Sequence, residues 1–191
     1  MNKNILLDKL PQFTRQNLRI RTDFRESIKF ELLMQDSKIT EKEKIMLALK
    51  LYYYDISKIK DIKLAIDEIL WFYRCGKEIR ELKGSKKEEV RIKQIYSYEF
   101  DDEYIYSAFM EQYKIDLNSI KYLHWWKFKA LLLSLNENVL FCKIMGYRTM
   151  NLSKIKDKEM KSHYNKMQKL YTLPDMRSEE EKEEDFANEL W

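Results

Sequence analysis

The sequence predicts an all-α protein, a compact helical bundle of about six to seven helices, with a short N-terminal β-hairpin as the one admissible exception. Three observations predict it. Only three glycines and two prolines occur in 191 residues, whereas strand-rich folds consume both at their many turns. Apolar residues recur every three to four positions over most of the chain, as on one face of a helix. Charged residues reach 36% and are dominated by Lys and Glu, which suit exposed helix faces.

The opening stretch is the least helical. Asn17-Leu18-Arg19-Ile20-Arg21 alternates polar and apolar residues, which fits one short strand or half of a hairpin paired with Ile5–Leu7 or nearby. Asp23 with Glu26 marks an N-cap, and Phe24, Ile28 and Leu32 form a stripe that ends at Asp36-Ser37. Thr40-Glu41-Lys42-Glu43 has the form of a capping box and opens a second helix with Ile45, Leu49 and Tyr53 inward. Asp61 precedes a third, with Ile62, Ile66, Ile69, Leu70 and Tyr73 apolar, Asp67 and Glu68 outside, and Gly76 placed for a left-handed stop. Residues 77–93 are polar, of mixed charge and broken by Gly84-Ser85, an exposed connection.

Beyond it the chain is rich in aromatics. Acids at 101–103 favour the positive end of a helix dipole, and Ile105, Phe109 and Tyr113 line that helix. The next element starts at Asp116 and runs through Leu123, Trp126, Ala130 and Leu133. With Leu131, Leu132 and Leu135 it is apolar almost all round, as a central helix would be. Glu137–Met145 reads as a further helix closed by Gly146. Asp157–Leu170 reads as a last one, with Met160, Tyr164, Met167 and Tyr171 on one face and Pro174 as its stop. The resulting organisation is an N-terminal helical unit over 1–76, the connection at 77–93, an aromatic-rich helical unit over 94–175 and an acidic tail at 176–191, one domain overall.

The net charge of +4 hides an asymmetry. Ser178–Trp191 holds seven acidic residues and one Lys, so it carries −6 and residues 1–177 carry +10. The basic residues of the body are interleaved with acids, which favours plain solvation over nucleic-acid binding. Cys75 and Cys142 lie far apart and outside any ligand spacing, as expected of a reduced cytosolic pair. The N-terminus lacks the apolar run of a signal peptide, and no stretch approaches the ~20 apolar residues of a membrane span. The protein is expected to stay in the cytoplasm where it is made.

No phosphate-cradling glycine loop, nucleophile elbow or metal-ligand spacing occurs, so neither cofactor nor metal nor catalysis is expected. His124 with Cys142 is a pairing that almost any chain with both residues offers. Glu99, Asp101, Asp102 and Glu103 fit a solvated helix start better than an ion site. Leu123-His124-Trp125-Trp126-Lys127-Phe128 stands out. Adjacent tryptophans on a helix point about 100° apart, which lets one be buried while the other reaches the rim. The cluster is either core, with His124 satisfied by a neighbouring carbonyl or carboxylate, or an aromatic anchor for a partner; base stacking is a third option. Tyr104, Trp125 and Phe128 are the candidate partner-binding residues.

Several of these strings together carry a resemblance. Tyr96 through Phe109, Tyr113-Lys114-Ile115-Asp116-Leu117, Leu123 through Phe128, Ile144-Met145-Gly146-Tyr147-Arg148, and upstream Ile20 through Arg25 resemble the bacteriophage gp-fifteen family of phages and prophages of Gram-positive bacteria. The resemblance covers roughly residues 17–174 and leaves out the opening residues and the acidic tail. It implies a protein similar to tail-assembly chaperones, acting in the host bacterial cytoplasm on other phage tail proteins, the tape-measure protein foremost. It supplies no catalytic or ligand residues. A structural tail component of the virion belongs to the same class of reading. A basic nucleic-acid-binding phage regulator is the alternative from another class, ahead of an enzyme. Attraction between the basic body and the acidic tail of different copies would give a salt-sensitive homo-oligomer.

Overall fold

A computed structural model of the protein describes residues 5–77 and 95–175. The acidic tail at 176–191, and the charged connection at 77–93 apart from Lys77, lie outside the described residues. Those described form seven α-helices and no named strand, so the protein is all-α: α1 Phe24–Gln35, α2 Glu41–Tyr52, α3 Ile62–Tyr73, α4 Asp102–Tyr113, α5 Trp125–Leu133, α6 Leu140–Thr149 and α7 Lys158–Leu170. They divide into two compact units. One is Pro11–Tyr73 joined by Pro174 and Asp175; the other is residues 74–173 with 5–10.

In the first unit the helix starts lie where local chemistry dictates. The Asp23 carboxylate accepts from the Arg25 N–H, and Thr40 and Glu43 cap each other's backbone in a complete capping box. The side chains turned inward differ from the four-residue stripes. α1 buries Phe24, Ser27 and Phe30 rather than Ile28 and Leu32. α2 buries Lys44, Ala48, Leu49 and Tyr52 and leaves Ile45 exposed. A strict i+4 row advances ~400° per step and so walks ~40° round the helix each time, whereas mixed three- and four-residue steps hold one face. Ser27 goes inside because it accepts the buried Tyr52 O–H at 2.8 Å. Glu68 of α3 is also inside rather than outside, 3% exposed. Its carboxylate accepts the Gln16 N–H at 3.2 Å and the Tyr53 O–H at 3.5 Å. Burial, followed by the Glu68 carboxylate, pushes the Tyr53 phenol well above its ordinary range.

The 17–21 segment pairs with Gln12–Thr14, not with Ile5–Leu7. Thr14 N–H donates to Leu18 C=O and Ile20 N–H to Gln12 C=O, with isolated bridges at Phe13–Arg19 and Ile20–Tyr53. Asn17 turns the corner at φ 59°, a left-handed conformation that asparagine tolerates. After α3, Cys75 at φ 57° and Gly76 at φ 73° reverse the chain. Gly76 thus serves the expected left-handed role.

The second unit packs α4, α5, α6 and α7 around aromatic rings. Asp116 opens a turn by accepting the N–H groups of Asn118 and Ser119, but the helix expected there starts nine residues later, at Trp125. His124 is its N-cap, its Nδ1 accepting the Trp126 N–H at 3.1 Å. α5 is not apolar on every side in its burial: Trp125, Trp126, Phe128 and Leu132 are inside, while Leu133 is 73% exposed. Gly146 lies within α6 rather than closing it, because a helical glycine costs too little to end a well-packed helix. A Cβ at Gly146 would meet nothing within 4 Å. Gly146→Ala is therefore expected to raise stability by about 0.5–1 kcal/mol, read as a higher melting temperature. α7 is capped by Asp157 through the Met160 N–H, and none of its side chains is fully buried; Met160, expected on its inner face, is 52% exposed.

Candidate interaction surface

The aromatic cluster of α5 belongs to the core. Trp125 and Phe128 are fully buried at 0%, and Trp126 is 3% exposed, so both tryptophans are inside and none reaches a rim. Phe128 stacks on Phe109 of α4 at 5.1 Å and on Trp125 at 5.7 Å, with interplanar angles of 12° and 17°. Tyr98 meets both rings edge-on or tilted. Such rings contribute large buried areas plus a geometric term. Burial removes Trp125 and Phe128 from the accessible surface of this fold. Tyr104, the third candidate, is half-buried on α4 and meets the Tyr171 ring edge-on at 6.2 Å. It joins a row of half-buried tyrosines in which Tyr147 lies against Tyr171 and Tyr164 at 6.1 Å.

Asp101 has a role that its neighbours in sequence do not reveal. It is 1% exposed, and its carboxylate does not cap α4. It accepts the Ser97 N–H at 2.9 Å and a two-pronged bond from Arg148 of α6 at 2.6 and 2.8 Å. Arg148 also donates to the Tyr171 carbonyl at 2.6 Å and the Ile95 carbonyl at 3.0 Å. One planar guanidinium thus ties the start of α4, the end of α7 and the Ile95 backbone to α6. The reading of the 99–103 acids as a solvated helix start holds for the exposed Asp102 and Glu103 but not for Asp101.

In the first unit, arginines and apolar groups share the surface. Arg21 donates from Nη1 to the carbonyls of Lys50, Leu51 and Tyr53 at 2.9, 3.3 and 2.6 Å, satisfying the end of α2. Its guanidinium lies 4.6 Å from the centroid of Tyr54, which also receives Arg19 at 4.9 Å; Arg15 lies 5.4 Å over Trp71. On α2, Ile45, Met46 and Leu47 are 39%, 43% and 41% exposed among Lys and Glu.

The model of the family described as Bacteriophage Gp15 protein matches residues 6–173. The chain belongs to that family. No curated protein and no solved structure matches it. Membership in the Gp15 family points to a phage structural or assembly protein. The strings that carried the resemblance hold three of the contacts described above in this Gp15-family chain: Asp101 and Arg148 are bonded to each other, His124 caps the helix that carries the Trp pair, and Arg21 closes α2. Sequence spacing missed the Asp101–Arg148 pair and the inward Glu68, since neither has its partner on the same helix.

Among the described residues no group of three or more His, Cys, Asp or Glu gathers as metal ligands would. No described helix is long and apolar enough to cross a membrane. Burial pushes the Cys75 thiol from an ordinary 9.0 up to about 11, and burial also raises Cys142. At pH 8 the folded chain then holds roughly a hundredfold less Cys75 thiolate than the unfolded chain. Iodoacetamide should alkylate Cys75 at least ~10-fold more slowly in the native protein than in guanidinium, as followed by peptide mass spectrometry. The same shift is neutral to stability below the unfolded pKa of 9.0 and lowers stability as pH rises from there through about 11.

Proposed function

We propose that this chain is a phage tail-assembly protein, a chaperone-like factor that binds the helical tape-measure protein or another tail subunit and performs no catalysis. The observation that carries the reading is apolar side chain left in solvent on well-formed, charged helices, Met46 and Leu47 of α2 above all. A tape-measure protein is a very long helical chain whose apolar faces aggregate until the tail tube encloses them. A helper for it needs exposed apolar helix surface, solubilising charge around that surface, and binding weak enough for tube subunits to displace it.

Co-expression with the neighbouring tail genes tests this. The chain should co-purify with tape-measure fragments, keep them soluble and be absent from finished particles. Met46→Asp with Leu47→Asp should weaken capture by about tenfold, ~1.4 kcal/mol, and leave the melting temperature in place. Retention in finished particles would instead make it a virion component. Failure to capture any tail protein, with salt-steep retention on DNA, would replace the reading with a nucleic-acid-binding role.

A further inference from the structure

We propose that the surface carrying Arg15, Arg19 and Tyr54 is the docking site for this chain's own acidic C-terminal segment, Ser178–Trp191. Pro11–Thr22 holds three arginines and no acidic residue. The structure gathers that charge around one turn. Arg15 and Arg19 flank the corner closed by the Thr14 and Asn17 N–H groups, and both are exposed. Each is held over an aromatic ring, Trp71 and Tyr54. Stacking occupies the face of a guanidinium and keeps its N–H edge free to fork onto a carboxylate. Beside them Phe13 is 49% and Tyr54 55% exposed, so the surface alternates cationic edges with apolar rings.

Ser178–Trp191 is the complement of that surface. Seven carboxylates and one Lys are interspersed with Phe186, Leu190 and Trp191. Reach is no obstacle. Asp175, the last described residue, groups with the unit that bears the arginines. Fourteen extended residues span up to about 50 Å, about twice the width of a ~60-residue unit. Tethering supplies an effective concentration of about 1 mM, so several weak contacts suffice. An acidic stretch on any partner polypeptide would then have to displace this cover.

The test is arginine footprinting of the full-length chain. Phenylglyoxal modification of Arg15 and Arg19 is timed by mass spectrometry, with Arg25, which is bonded to Asp23, as internal reference. The natural chain is compared with a full-length variant carrying E179Q, E180Q, E181Q, E183Q, E184Q and D185N. Arg15 and Arg19 should react several-fold more slowly in the natural chain, and the protection should persist on dilution. It should vanish for the unaltered chain in about 1 M salt, where screening acts within ~3 Å. Equal rates in the two proteins, or rates in the natural chain that ignore salt, overturn the proposal. Protection that falls on dilution overturns it too, because the segment would then come from a second copy.

Discussion

Arg148→Ala is expected to destabilise the protein by about 3–5 kcal/mol, the loss typical when one partner of a buried ion pair is removed. The cost comes mainly from what is left behind. Asp101 remains fully buried with only the Ser97 N–H to meet its charge, and the Ile95 and Tyr171 carbonyls lose their donor. Arg148→Lys should recover only part of this, because an ammonium cannot reproduce the fork to both carboxylate oxygens while also reaching the two carbonyls. Urea unfolding of Arg148→Met, of Asp101→Asn and of the two combined measures the coupling. The double variant should be more stable than the sum of the single losses implies, since it leaves no buried charge unpaired. Additive losses would mean that the pair is solvated in solution.

Phe128→Ala is expected to cost a further class of stability, about 3–5 kcal/mol, because it opens a cavity between Phe109, Trp125 and Tyr98 that rigid rings cannot fill. Thermal melting and near-ultraviolet circular dichroism would both register it. Any loss of partner capture by this variant should scale with its unfolded fraction, unlike a loss at Met46 and Leu47. A Phe128→Ala protein with native stability and no capture would return that ring to the binding surface.

What was legible in the sequence follows from range. The caps at Asp23 and Thr40–Glu43 are readable because each cap and its target lie within three residues. The family was readable because strings such as LHWWKF are themselves unusual. Glu68 and Asp101 read as outside because an acidic side chain reads as solvated until its partners are known, and Gln16 and Arg148 lie 52 and 47 residues away. The start of α5 was misplaced for a related reason. Asp116 looks like a cap and does cap a turn, but Leu117 and Leu123 are drawn into the core between the start of that turn and the helix. Of the three candidate contact residues, two were aromatic because the core needed them. Composition does not distinguish a ring that anchors a partner from one that anchors its own fold.

The absence of any fully buried side chain on α7 has a dynamic consequence. A helix held by tyrosine rings, by the Gln168 amide on the Met150 carbonyl and by the grip of Arg148 on the Tyr171 carbonyl just past its end has little hydrophobic area to lose when it peels away. Its release is a sub-global opening well below the cost of unfolding the unit. Native-state hydrogen exchange would find the amides of Lys158–Leu170 among the earliest to report, while those of α4 and α5 wait for the whole unit to come apart.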